Sequence, residues 1–209
     1  QSKERMHRRY RTKGKKVTHF LSPSPYYTEK IASAFDVDPS QDGLFINSGY
    51  PRNDALLEPS EEKTAEFKKS LGIPDDAKVI LYTPTWRDNE YQNGHGFQYE
   101  SPVNLGKLME LLPENYILLF RAHHQVGTSE VIQETDRIFD VTDADDLNDL
   151  YLISDLMITD YSSTMFDYSV LKRPMVFHMY DLERYEHEIR GFYFDLDELP
   201  GPITKTEEE

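Results

Sequence analysis

The stretch ITDYSSTMFDYS, residues 158–169, sets Thr159, Asp160, Tyr161, Ser162, Ser163 and Thr164 at a corner between an apolar run and a helical pattern. Hydroxyls at such a corner have two uses. One oxygen can accept a backbone N–H of the first helical turn; Ser162 or Ser163 is placed for this, with Thr164 and Asp167 at capping-box spacing. Any hydroxyl left over, together with the free N–H groups of the turn, can donate to an anion such as phosphate. The motif alone fits plain capping and anion binding equally. Asp160 fits neither contact with phosphate nor chance: a carboxylate would repel the ligand, so it is expected to orient the loop.

Two further corners carry chemistry. YTPTWRD (82–88) ends an apolar run in Arg87, whose guanidinium can grip phosphate through two parallel hydrogen bonds. Trp86 beside it can fill a core or line a base or sugar pocket. RAHHQV (121–126) presents His123, able to act as a base when neutral or to hold phosphate when charged. His124 points to the opposite side in extended backbone, so the pair does not share one role. A lone Arg or His after a strand more often serves structure. The shared position of these residues at strand ends is what favours binding.

The elements that must place these corners follow from hydrophobic patterning. Runs of four to six apolar residues, as in KVILYT, NYILLF, DLMIT and PMVFH, alternate with helical patterns such as SEEKTAEFKKSLG, LGKLMELL, DLNDLYLI and DLERYEHEI. The runs are near-continuously apolar, as in parallel strands covered on both faces. Ser60 is placed to cap one helix, with Gly72 and Pro74 as its stop. This is the α/β doubly wound pattern, a Rossmann-like parallel sheet with helices on both faces. Ligands of such sheets bind outside the carboxyl ends of the strands, where all three corners fall.

Composition narrows the partners. The chain has 209 residues, 38% of them hydrophobic, enough for a core, and no cysteine. Net charge is −15. Eight of the 23 Lys/Arg and one of the 38 acids lie in residues 1–16, leaving 15 bases and 37 acids beyond. An acidic body lacks the broad basic face that nucleic acid requires. The basic start is read as a solvated, frayed terminus, or as a segment that meets anionic lipid or a polyphosphate chain. No apolar run reaches the roughly 18 residues of a membrane span. No His-x-x-x-His pair or EF-hand loop is present, DADDLND (143–149) reading as a helix start. P-loop, dinucleotide and nucleophile-elbow motifs are also missing.

Six blocks then occur in order: GYPRND (49–54), YTPTWRD (82–88), RAH (121–123), DLYLISDLMITDYSSTMFDY (149–168), KRPMVFHMYD (172–181) and RGFYFDL (190–196). Together they resemble the CDP-glycerol glycerophosphotransferase family of teichoic-acid and capsule-polymer synthesis, over nearly all of residues 17–205. The resemblance implies a GT-B-like architecture of two Rossmann-like domains. Residues 1–55 correspond to the last part of the first, acceptor-side domain, and residues 56–209 to the CDP-donor-binding domain. It implies transfer of a glycerol-phosphate or related polyol-phosphate unit from a CDP-activated donor to a lipid-linked or polymer acceptor. CMP leaves, no metal or other cofactor is required, and the enzyme sits in the cytoplasm against the inner face of the membrane. On the matching positions, His123 and Arg87 hold and polarise the pyrophosphate as catalytic residues. Thr159, Ser162 and Ser163 join them in binding substrate.

A Trp-His-Gly-Thr-Pro-type block, whose His serves the acceptor as base in the family, has no counterpart here. These residues are therefore expected to be a donor-binding half with little turnover alone. A GT-B nucleotide-sugar glycosyltransferase and a non-catalytic nucleotide-binding module are the alternatives. Glycosyltransferases usually place a carboxylate where this chain has Ser162 and Ser163, which favours a phosphate partner. Calorimetry with CDP-glycerol and UDP-glucose separates these readings: binding of UDP-glucose with none of CDP would exclude the first.

Overall fold

The computed structural model describes residues 3–85, 91–92, 96–97, 102–122 and 132–209. They form two compact units, Gln1–Ala55 and Leu56–Glu209.

In the first unit, α1 (Lys3–Gly14) and α2 (Pro25–Phe35) accompany two short parallel strands, β1 (Phe20–Ser22) and β2 (Phe45–Asn47). The basic terminus is thus helical, not frayed. Its sequence hides this because only Tyr10 and Gly14, spaced by four, mark the inward face. Gly14 is the seat: a Cβ there would lie 2.6 Å from the Phe35 carbonyl oxygen. The Tyr10 ring meets Phe35 edge-on at 5.3 Å. Ser24 caps α2 by accepting from the Tyr27 N–H at 3.2 Å. The GYPRND loop carries a 3-10 turn, Pro51–Asn53, and leads into α3 (Asp54–Leu57), a helical turn that the pattern does not suggest.

The second unit is built on six parallel strands. They are β3 (Lys78–Thr83), β6 (Tyr116–Phe120), β7 (Ile138–Asp140), β8 (Leu156–Thr159), β9 (Met175–His178) and β10 (Ile203–Thr204), in the order β10-β9-β8-β3-β6-β7. A separate two-residue ribbon, β4 (Tyr91–Gln92) with β5 (Gly96–Phe97), is antiparallel. Counted along the sheet, the six strands follow the 3-2-1-4-5-6 order of doubly wound folds, with β3 as the first strand and β8 as the fourth. The order therefore reverses between β3 and β8, and the crevice for a ligand opens at their carboxyl ends.

Alternate residues of the strands feed opposite faces. Val79, Leu81, Ile117 and Leu119 join Met157, Met175 and Phe177 under α4 (Glu61–Ser70), α6 (Leu147–Ile153) and α7 (Thr164–Tyr168). Ile80, Tyr82, Leu118 and Phe120 pack on the other face with Leu105 and Met109 of α5 (Leu105–Leu111). Helix ends are closed by side chains. Ser60 caps α4 through the Lys63 N–H at 3.4 Å, and Asp146 caps α6 through the Asn148 N–H at 2.9 Å. Arg173, the basic residue of KRPMVF, donates to the carbonyls of Tyr151, Leu152 and Ser154 at the far end of α6. The pattern DLERYEHEI resolves into a single turn, α8 (Leu182–Arg184), followed by a wider π turn, Tyr185–Ile189.

The β3–β8 pair is pinned at its amino end by Asp155, which accepts from the Val79 N–H and the Lys78 ammonium, each at 2.9 Å. Burial pushes this carboxyl up, but those two donors outweigh it and hold it below its ordinary value. At the other edge, β10 carries no sequence signal because only two residues pair. Gly201 lets the chain arrive there, since a Cβ would overlap the Met175 carbonyl oxygen. His178 on β9 then meets Thr204 on β10, with Nδ1 3.1 Å from the hydroxyl.

Burial pushes the pKa of His178 down, while Glu207 and Glu209 partly oppose the shift. The unfolded chain therefore takes up the proton first, at about pH 6.5, and stability is lost as pH falls through that value. Calorimetric melting between pH 8 and pH 5.5 should show a decline in Tm that His178→Asn, which keeps a partner for Thr204, makes shallower. Equal slopes would remove His178 from the pH response.

Candidate functional site

At the reversal point the ends of β3 and β8 are locked together by a short ladder of hydroxyls. Thr159 Oγ1 donates to the Thr83 carbonyl at 2.9 Å, and Thr83 Oγ1 donates to Thr159 Oγ1 at 3.2 Å. The Thr164 hydroxyl lies 3.4 Å from Thr83 Oγ1. Thr159 is fully buried. Its hydroxyl therefore holds strand to strand and does not face the crevice, so its service to a ligand is positional.

Asp160 comes next and is 3% exposed. Both carboxylate oxygens accept from the Thr85 N–H, at 2.9 and 3.0 Å, and one also accepts from the Tyr161 N–H at 2.6 Å. A buried carboxylate is tolerated only when it is well bonded, and here the chain leaving β3 supplies the donor. This is the orienting role expected of it. It ties the loop after β3 to the loop after β8.

Beyond Asp160 the chain turns outward. Ser162 Oγ accepts the Thr164 N–H at 3.3 Å, and its carbonyl accepts the Met165 N–H at 3.4 Å. Ser163 occupies the N-cap position of α7 without a side-chain cap bond and is exposed. The division of labour is therefore visible: Ser162 closes the turn, and the Ser163 hydroxyl has no partner among the described residues. The backbone N–H groups of Ser162 and Ser163 likewise donate to no acceptor among the described residues. Several donors thus converge where the sheet order reverses. α7 spans only five residues before a 3-10 turn, Ser169–Leu171, so its dipole is small and the individual donors matter more.

Arg121, at the end of β6, is engaged. Its Nη1 donates to the carbonyls of Val141 and Ala144 at 3.3 and 2.9 Å, and desolvation lowers its pKa. It braces the loop after β7 and is not a freely reaching anion ligand. Arg87, His123, Trp86 and His124 lie outside the described residues.

Sequence reasoning misses Tyr161 and Asp181. The Tyr161 hydroxyl donates to Asp181 Oδ1 at 2.9 Å, and its ring stacks on Tyr185 with centroids 3.7 Å apart and planes 12° apart. Phe192 completes the aromatic cluster. No local signal joins residues twenty positions apart; only the adjacency of β8 and β9 brings them together.

Known proteins give the chain its relatives. A family model described as CDP-Glycerol:Poly(glycerophosphate) glycerophosphotransferase matches residues 1–209. A teichoic acid glycerol-phosphate transferase of Staphylococcus aureus is 42% identical over 201 residues, covering 95% of this chain and 51% of that protein. A teichoic acid poly(glycerol phosphate) polymerase of Bacillus spizizenii is 40% identical over 209 residues, covering 99% of this chain and 52% of that protein. A structure of the wall teichoic acid polymerase TagF, a variant soaked with CDPG, superposes with a TM-score of 0.86 at 37% identity, covering 99% of this chain and 50% of that one. The chain spans about half the length of the curated relatives it matches.

Removal of the Asp160 carboxylate strands buried N–H groups, each worth about 1–3 kcal/mol. Asp160→Ala should therefore destabilise the second unit by roughly 3 kcal/mol. Ser162→Ala should cost about 0.5–2 kcal/mol as a lost cap, and Ser163→Ala should leave stability unchanged. Urea unfolding of the three variants checks the order; a Ser163→Ala loss equal to that of Ser162→Ala would contradict the assignment.

Proposed function

The chain belongs to the CDP-glycerol:poly(glycerophosphate) glycerophosphotransferase family, and from that premise we propose that it is the CDP-donor-binding part of an enzyme that transfers glycerol phosphate to a teichoic-acid or related polymer. The observation that carries the proposal is the set of unengaged donors at Ser162 and Ser163, braced by Asp160 at the reversal point of the sheet. A diphosphate placed there accepts from the Ser163 hydroxyl and from backbone N–H groups. Arg87 and His123, which follow β3 and β6 in the chain, complete the anion site in this proposal.

In the reaction, an acceptor hydroxyl attacks the phosphorus that carries the glycerol. The P–O bond to CMP breaks, the acceptor's proton passes to a base, and CMP leaves with the bonding electrons. Negative charge accumulates on the bridging and non-bridging oxygens. Donors fixed before the reaction stabilise that charge without reorganising, and in phosphoryl transfers such stabilisation supplies most of the acceleration. Arg87 and His123 supply the remaining compensation, so the proposal includes no resident metal. The acceptor is lipid-linked or polymeric.

The proposal also sets the enzyme at the cytoplasmic face of the membrane, as a peripheral protein. Among the described residues no helix is long and apolar enough to cross a bilayer. α1 offers a contact: it is exposed, and Arg5, Arg8 and Arg9 lie on the side away from Tyr10 and Gly14. Each such cation near an anionic surface contributes up to about 1 kcal/mol.

Calorimetry with the full-length protein should show Ser163→Ala weakening CDP-glycerol binding by roughly tenfold, as expected for one charge-assisted hydrogen bond. Arg87→Ala and His123→Ala should weaken it further, UDP-glucose should bind poorly, and EDTA should leave CMP release intact. Wild-type affinity in all three variants would sink the donor site. For the membrane, phosphatidylglycerol vesicles should retain the protein at least about tenfold better than an Arg5/Arg8/Arg9→Gln variant; equal retention would remove α1 from this role.

A further inference from the structure

A cavity of about 490 Å³ opens at the carboxyl edge of β9 and β10. That volume lies within the range of small-ligand clefts, about 300–1,000 Å³. Six of its eight lining residues carry charge-bearing or imidazole side chains: Asp181, Glu183, Arg184, His187, Glu188 and Lys205. Among the described residues, Arg184, His187, Lys205, Glu183 and Glu188 form no ion pair within 4.0 Å. Both signs of charge are thus available to a ligand, on exposed side chains that the backbone sets around the cleft. Tyr185 is buried between Arg184 and Glu186, and its carbonyl accepts the N–H groups of both Arg190 and Gly191 at 3.1 Å. The π turn so formed presents His187 and Glu188, and Lys205 follows directly after β10.

The chemistry of the lining selects its occupant. A simple anion would meet three carboxylates, and a simple cation would meet a guanidinium and an ammonium. A nucleobase would use only Tyr180 and Leu182 of the lining and would leave the six charged or imidazole residues without partners. A ligand that alternates hydroxyls with single negative charges satisfies both sets. Hydroxyls donate to Glu183 and Glu188, and a phosphodiester accepts from Arg184 and Lys205. We infer that this cleft is a subsite for a polyol phosphodiester, holding a repeat unit of the poly(glycerol phosphate) acceptor near its growing end. The identity of the polymer rests on the function proposed above; the ligand class rests on the cleft. Asp181 links the two sites, since it lines the cleft and accepts from Tyr161, the neighbour of Asp160. The arrangement places the polymer beside the donor diphosphate within one unit of the protein.

The test titrates full-length protein with a soluble glycerol phosphate oligomer of about six units, followed by calorimetry in parallel with CDP-glycerol. The Arg184→Gln, Lys205→Gln double variant should bind the oligomer at least about tenfold more weakly, as for loss of charge-assisted contacts, and should bind CDP-glycerol as the wild type does. The Glu183→Gln, Glu188→Gln variant should also weaken the oligomer but should leave linear polyphosphate, which has no hydroxyls, unaffected or bound more tightly. All variants lie at exposed positions, and unchanged melting confirms that they fold. Absence of oligomer binding by the wild type overturns the inference, as does equal oligomer affinity in the basic-pair variant. Preference for polyphosphate over the glycerol polymer also overturns it, because the carboxylates would then have no role. Failure to bind CDP-glycerol with intact, cleft-dependent oligomer binding would instead count against the donor reading alone.

Discussion

Everything at the candidate site depends on how two adjacent parallel strands, β3 and β8, are fastened at both ends. Parallel strands are far apart in sequence, so nothing local fixes their register. Here Asp155 fixes the amino ends by accepting from Val79 and Lys78. Asp160 fixes the carboxyl ends by accepting from Thr85. One-residue slippage would exchange the two faces of β3, moving Val79 and Leu81 out of one core and Ile80 and Tyr82 out of the other. It would also take the Thr85 N–H away from the buried Asp160 carboxylate. The same contacts that set register therefore set the geometry of the crevice.

That fastening explains why one corner carries so many small polar residues. Thr159 and Thr164 connect to Thr83, Asp160 braces the loop after β3, and Ser162 closes the turn. Only after those demands are met does a hydroxyl remain, on Ser163. A site with donors fixed in advance gains affinity for an oxyanion because little ordering is left to occur on binding. Tyr161 extends the same order sideways through Asp181 and Tyr185, so the Ser162–Ser163 corner and the charged cleft share a common support.

Much of this is legible in the sequence, and for physical reasons. Doubly covered strands must be apolar on both sides, so KVILYT, YILLF and DLMIT announce a parallel sheet and thereby the edge where ligands bind. Capping needs one oxygen, so two adjacent serines leave one hydroxyl over, and in the structure that is Ser163. Other features are not legible. α1 reads as a frayed terminus because its inward face is made by Tyr10 and Gly14 against a distant Phe35, with no apolar stripe. Nothing local announces that Arg121 is engaged by the carbonyls of Val141 and Ala144, twenty residues and more along the chain. The family resemblance assigns Thr159 to substrate, but its hydroxyl is directed to a neighbouring strand. Each miss involves a partner remote in sequence, whose position only the assembled fold determines.

The central claim is that the reversal point between β3 and β8 receives the donor's diphosphate. A crystal structure of the full-length protein with CDP-glycerol measures this directly. The account predicts diphosphate oxygens about 2.7–3.2 Å from Ser163 Oγ and from the N–H of Ser162 or Ser163, with Asp160 still bonded to Thr85. A diphosphate bound elsewhere on the protein, with the Ser162–Ser163 corner open to solvent, would contradict it.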